Sequence, residues 1–149
     1  MIRRQRGQVM AFIAVALGIV VMPVAAYAID SATVSAAAAS LEEATATAAT
    51  EASQQLDIGG FRSTGVLSVD AAAARGVVQA VLAAEVPMAS ITSVTVTGAE
   101  ITIATREEVP LPFDFFPERT VRLQASASAR LAGGYDRPSS RLPLPMSSF

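Results

Sequence analysis

VMAFIAVALGIVVMPVAAYAI, residues 9–29, carries no charged side chain and only one hydroxyl, that of Tyr27. A helix rises 1.5 Å per residue, so this run of about 21 residues extends roughly 31 Å, close to the ~30 Å hydrocarbon core of a bilayer. Arg3, Arg4 and Arg6 stand before it and Asp30 directly after it. Arginines favour the cytoplasmic side of a membrane. The pattern therefore predicts residues 1–8 inside, a single span over 9–29, and an exported domain from Asp30 onward.

The same run admits a second reading as a secretory signal peptide. Met1–Gln8 would be its basic leader, Val9–Met22 its hydrophobic stretch, and Ala26-Tyr27-Ala28 an A-x-A site with cleavage after Ala28. A signal core is only about 7–15 residues long, whereas the apolar run continues past Pro23, which a membrane helix tolerates. Length therefore favours an anchor in the inner (cell) membrane. Both readings place the remaining chain outside the cytoplasm.

Composition narrows the chemistry. The chain has 149 residues, net charge −2, and no His or Cys. Every basic residue is Arg, and the one arginine cluster borders the apolar run, so no basic stripe for nucleic acid exists. Without His or Cys the commonest general base, the thiol nucleophile and the usual zinc ligands are missing. A catalyst would have to work with carboxylates, hydroxyls and arginine. The carboxylate groupings Glu42-Glu43, Glu107-Glu108 and Asp114/Glu118 read as solvated surface, since neighbours on one element do not converge across a cleft. Arg122 and Arg130 read as solubilising residues on an open strand face. The expectation is a protein that is not an enzyme, with no cofactor, no metal and no small-molecule substrate.

Beyond the span, Ser31–Leu56 is Ala-rich and free of Gly and Pro, which predicts that the helix continues, to be stopped by Gly59-Gly60. Val34, Ala38, Leu41, Ala48 and Ala52 fall on one side of it, opposite Glu42, Glu43, Glu51 and Gln54. So narrow a stripe of small residues has two uses: docking a partner helix at close approach, or lying along the chain's own sheet. Phe61–Val69 reads as a short extended stretch, with Gly65 at a turn or bulge. Ser68 or Asp70 caps a helix running to Glu85, with Val77, Val78, Val81 and Leu82 on one face.

The strand signals follow. SVTVT, Gly98-Ala99 and EITIA alternate on both sides of a two-residue connection, which is a β-hairpin with Gly98 at a positive φ. Val94, Val96, Ile101 and Ile103 face its core. Val109–Pro117, VPLPFDFFP, reads as a stiff connector carrying Phe113, Phe115 and Phe116, either packed back or presented to a partner. Thr120–Leu131 alternates again as another strand, and residues 133–149 read as a disordered Gly/Pro/Ser-rich tail. The fold class is α+β: a long N-terminal helix, transmembrane then exported, followed by a small helix-covered antiparallel sheet of three to four strands over 30–132.

Arg6-Gly7-Gln8 before an apolar run containing proline, Asp30 with an Ala/Ser/Thr-rich helix, the VTVTG–ITIAT hairpin, the VPLPF connector and the Ser/Ala-alternating strand together resemble the TadE/TadG-like family. That resemblance implies a pilin-like membrane protein of the tight-adherence (Flp) pilus or related secretion machinery. The N-terminus would be cytoplasmic and the domain exported, with the bilayer, assembly proteins and other pilin-like subunits as partners. It makes Gly7/Gln8 the position of a prepilin peptidase. Pilin-like members carry Glu five residues after that glycine, where this chain has Phe12. The difference argues against cleavage there and favours the TadG-like branch, which Asp30 matches better.

Overall fold

One helix forms the spine of the molecule. The structure, a computed structural model, describes residues 3–113 and 119–132, with side chains from Val9 onward. Helix α1 runs without interruption through Arg3–Ser53, 51 residues in all, with Pro23 inside it. Its threonines do not compete with the helical ladder. The hydroxyls of Thr33 and Thr50 each donate to the carbonyl four residues back, at 2.9 Å.

The rest folds against the upper half of α1. Helix α2 (Ile58–Thr64) and helix α3 (Ala71–Glu85) follow, then strands β1 (Ser90–Thr97), β2 (Glu100–Pro110) and β3 (Thr120–Arg130). The sheet is antiparallel in the order β1-β2-β3. Helix α1 crosses β2 and β3, while α3 packs beside α1 and reaches β1, so both helices cover the same face. The expected α+β arrangement is the one observed.

Small side chains set the spacing of this core. Ala44, Ala48, Ala49 and Ala52 of α1 are buried against Ala74, Val78 and Leu82 of α3 and Ile101 and Ile103 of β2. Alanine lets the helix axis approach the sheet closely, and the isoleucines supply the apolar area. Full burial of each is worth roughly 1.5–3 kcal/mol. Leu41 extends the buried row toward the N-terminal, apolar half of α1.

The hairpin falls where the alternation put it. Thr97 pairs with Glu100 across Gly98-Ala99, and Gly98 has φ +60°. Both carbonyls of the turn are used: Val69 N–H donates to Gly98 O at 2.9 Å and Leu131 N–H to Ala99 O at 2.7 Å. The cap of α3 is Asp70, whose carboxylate accepts from the Ala72 and Ala73 amides.

Three expectations need correction. Helix α1 ends at Ser53, not at Gly59-Gly60, because Leu56 leaves it to form an antiparallel bridge with Val69. The stretch that begins at Phe61 is not extended at its start. Ile58–Thr64 is helical, with both glycines inside it. Asp57 caps this turn by accepting from Gly60 N–H at 2.8 Å, and a Cβ at Gly60 would collide with that carboxylate, so glycine here starts a helix instead of stopping one. Gly65, at φ +71°, is what ends it. Finally, β2 runs on through Glu107, Glu108, Val109 and Pro110, so the connector begins at Leu111. Pairing with β1 stops at Arg106, and beyond it β2 has β3 alone as a neighbour. A proline without an N–H costs nothing on that open side.

Candidate functional site

Two buried polar contacts tie α1 to the rest of the fold, one at the middle of the sheet and one, to the loop after β2, at the C-terminal end of the apolar run. In the middle, Thr45 and Thr105 are both fully buried and face each other with oxygens 2.7 Å apart. Thr45 Oγ1 is also 2.6 Å from the Leu41 carbonyl, and Thr105 Oγ1 is 3.5 Å from the Ala125 carbonyl. Two hydroxyls supply two protons for three contacts, so the short ones hold them. Thr45 donates to Leu41 O and Thr105 donates to Thr45. Sliding the helix would strand both hydroxyls, at about 1–3 kcal/mol for each buried group left unpaired.

At the C-terminal end of the apolar run, Asp30 is only 4% exposed, and its Oδ1 accepts from Phe113 N–H at 3.2 Å. Its Oδ2 is buried without a hydrogen-bond partner. Ala26, one turn below, is buried too, whereas Tyr27, Ala28 and Ile29 are exposed. The domain thus begins to cover α1 a full turn inside the apolar run. Leu111 N–H donates to Arg119 O at 2.9 Å, which closes the stem of the loop leading to Phe113.

The stripe on α1 divides. Leu41, Ala48 and Ala52 are buried in the protein's own core, together with Ala44, Thr45 and Ala49, which the narrow stripe had left out. Val34 and Ala38 are half-buried. Of the two uses open to the stripe, lying along its own sheet accounts for its upper part. Phe113 is 38% exposed; Phe115 and Phe116 lie outside the described residues, as do Asp114, Glu118 and residues 133–149. Gly7 and Gln8 fall within α1, and Ala28 is exposed in the same helix.

The carboxylates separate by strand alternation. Glu108 faces outward and meets Arg122 at 3.4 Å, whereas Glu107 is half-buried on the helix-covered side with Oε2 unpartnered. Glu42 and Glu43 are exposed on α1. Among the described residues no group of three metal-ligating side chains comes together. The sequence placed Asp30 at the end of the apolar run but not its burial, because its partner is a backbone amide 83 residues away. The two buried threonines escaped the sequence reading because Thr45 sits among look-alike Ala and Thr residues.

The lower half of α1 has the opposite character. Phe12 is 75% exposed and Met22 72%, and the large apolar residues from Val9 to Ile29 are exposed on every side. By length and composition, α1 is one helix able to cross a membrane. Comparison with protein-family models, with curated proteins and with solved structures finds no match.

Proposed function

We propose that this chain is a single-pass, membrane-anchored, non-catalytic component of a Flp-type pilus or related secretion assembly, of the TadE/TadG-like kind, working through protein–protein contacts. The observation that carries the reading is the unbroken helix α1. Its large apolar residues are exposed up to Ile29, and Leu41, Ala44, Ala48, Ala49 and Ala52 are buried. A helix that is bare and apolar at one end and the core of an α+β domain at the other holds that domain at a fixed height over a bilayer. The arginines before the run support a cytoplasmic N-terminus.

Ala14 and Gly18, one turn apart on the same face of α1, give the membrane half a small-residue surface on which a second helix can approach closely. They replace Leu41, Ala48 and Ala52 as the contact for neighbouring pilin-like subunits. Retention of the helix is supported by Ala26, which is buried in mid-helix and so shielded at the A-x-A motif. A released domain remains the competing reading, on the strength of Ala26-Tyr27-Ala28.

N-terminal sequencing and alkaline carbonate extraction separate the two. Met1 or Ile2 at the start of a protein found in the membrane pellet is the expected result. A product beginning at Ile29 and recovered in the supernatant overturns the anchor. Crosslinking in intact membranes, followed by mass spectrometry, tests the assembly role. Adducts with pilus or secretion subunits are expected, and a chain recovered without them refutes it.

A further inference from the structure

The loop after β2 has the chemistry of a segment that enters the membrane interface. We infer that Leu111-Pro112-Phe113 is a second membrane contact, seated in the headgroup and upper acyl region of the outer leaflet beside α1. The inference rests on the membrane-span reading proposed above.

Height comes first. Val9 to Asp30 is about 21 helical steps, or ~31 Å, which puts Asp30 at the outer boundary of a ~30 Å hydrocarbon core. The Phe113 amide is 3.2 Å from the Asp30 carboxylate, which holds this loop at the same level. The interfacial layer beyond the core is several ångströms deep, roughly 5–7 Å on each side. Burial of Ala26, a turn lower on α1, shows that protein already covers the helix inside the apolar run.

Backbone accounting comes next, because the uncharged segment Leu111-Pro112-Phe113 enters this layer only if its donors are satisfied. Pro110 and Pro112 have no N–H. The Leu111 amide is bonded to Arg119 O at 2.9 Å, and the Phe113 amide to Asp30. Four consecutive residues therefore present no free amide. Side chains agree with this: Leu111, Pro112 and Phe113 are uncharged, and Phe113 keeps more than a third of its surface exposed. Tyr27, 61% exposed on α1 just below Asp30, is a second aromatic at the depth where such rings concentrate.

The chain contains no tryptophan, so a single introduced indole reports its own surroundings. Full-length Phe113→Trp, reconstituted in phosphatidylcholine vesicles, should emit to the blue of a water-exposed indole. Lipids brominated near the headgroup end of the acyl chain should quench it more than lipids brominated near the chain terminus. Val20→Trp should show the reverse depth order, and Thr97→Trp, at the far hairpin turn, should not be quenched. Adding Asp30→Ala to Phe113→Trp should shift emission to the red and weaken quenching.

The failures are distinguishable. Quenching of Val20→Trp without quenching of Phe113→Trp overturns the loop contact while leaving the span intact. Blue emission from Phe113→Trp that no lipid quenches means that protein, such as a second copy, covers the ring, and this also overturns it. Absence of quenching at both positions removes the span and the inference with it. The chain has no cysteine either, so a nitroxide on Phe113→Cys gives the same depth by collision with oxygen and with a polar nickel complex. Higher nickel than oxygen accessibility at that label contradicts the proposal even if the tryptophan variant fails to fold.

Discussion

The two halves of α1 share one backbone geometry and reverse the usual relation between side-chain size and burial. Below Asp30, Phe12, Ile13, Leu17 and Ile19 are exposed; above it, Ala44, Ala48, Ala49 and Ala52 are buried. In water the large residues would be the ones to hide. Large apolar residues exposed on every side of a helix are compatible with a single membrane span. Alanines with no exposure identify a packing distance. Burial on α1 thus depends on position along the spine as well as on residue type, and the same substitution at two heights should act on different steps.

Alanine offers the sharpest form of that comparison. Ala48→Glu would place a carboxylate where exposure is 0%, between α1, α3 and the sheet. Loss of more than about 4 kcal/mol is expected, enough to abolish cooperative unfolding of the domain in detergent by near-ultraviolet circular dichroism. Ala16→Glu should leave that unfolding transition where it was. Its cost falls on the membrane step, a charged residue at mid-span costing about 2.5–3.5 kcal/mol of insertion, read as a shift from membrane to soluble fraction. Equal losses of domain stability at both positions would break the comparison.

A smaller effect is expected at the end of the domain farthest from the span. Gly98→Val forces a β-branched residue to φ +60° and disturbs a carbonyl that accepts from Val69. A loss of about 1–3 kcal/mol should appear in thermal melts. An unchanged melt would mean that the hairpin had taken up another turn.

Much of this architecture was legible because it is local. Alternation over Ser93–Ala104 and Thr120–Leu131 needs no distant partner, nor does Asp70 before a helical run. What escaped depends on contacts across the chain. Nothing between Ser53 and Leu56 is a helix breaker, and the chain leaves α1 there because Leu56 bridges Val69 and Gln55 O accepts from Asp70 N–H. Gly59-Gly60 reads as a stop until Asp57 is seen to need the missing Cβ. The inward alternation Thr105, Glu107, Val109 persists beneath the charges of Arg106 and Glu108, and it carries β2 six residues past Ala104 to Pro110. For the candidate site, Phe113 and Asp30 were each singled out but not as partners, since a hydrogen bond spanning 83 positions leaves no periodic trace.

Threonine repeats the comparison at lower cost, between the covered and the open face of the sheet. Thr45 and Thr105 meet at 2.7 Å in the core, and Thr102 meets Ser128 at 2.9 Å in solvent. Thr45→Val removes the acceptor of the Thr105 proton, leaving only the Ala125 carbonyl at 3.5 Å. About 1–2 kcal/mol should be lost in denaturant melts. The double variant Thr45→Val/Thr105→Val should recover most of that loss, because two apolar groups of the same shape strand no polar atom. Thr102→Val should change nothing measurable. A double variant no better than the sum of its singles would mean that the pair is not coupled.

Glutamate gives the smallest and most discriminating pair, two neighbours in β2 that face opposite ways. Glu108 pairs with Arg122 across the open face, and both side chains are more than half exposed (54% and 61%) at 3.4 Å. Exposed pairs of this kind contribute about 0.2–1 kcal/mol, so Glu108→Gln should lower stability within that range. The loss should vanish in about 1 M salt, where the screening length is ~3 Å. Glu107 lies half-buried on the covered face with Oε2 unpartnered, so that oxygen has lost water without gaining a donor. Glu107→Gln keeps the shape and removes the charge. Stability should stay level or rise by up to about 1 kcal/mol, with no dependence on salt. Opposite signs for the same substitution at adjacent positions would follow from strand alternation alone. A shared loss that salt abolishes at both positions would place Glu107 on the solvent side and move β2 out of the register in which Glu107 stands opposite Leu123.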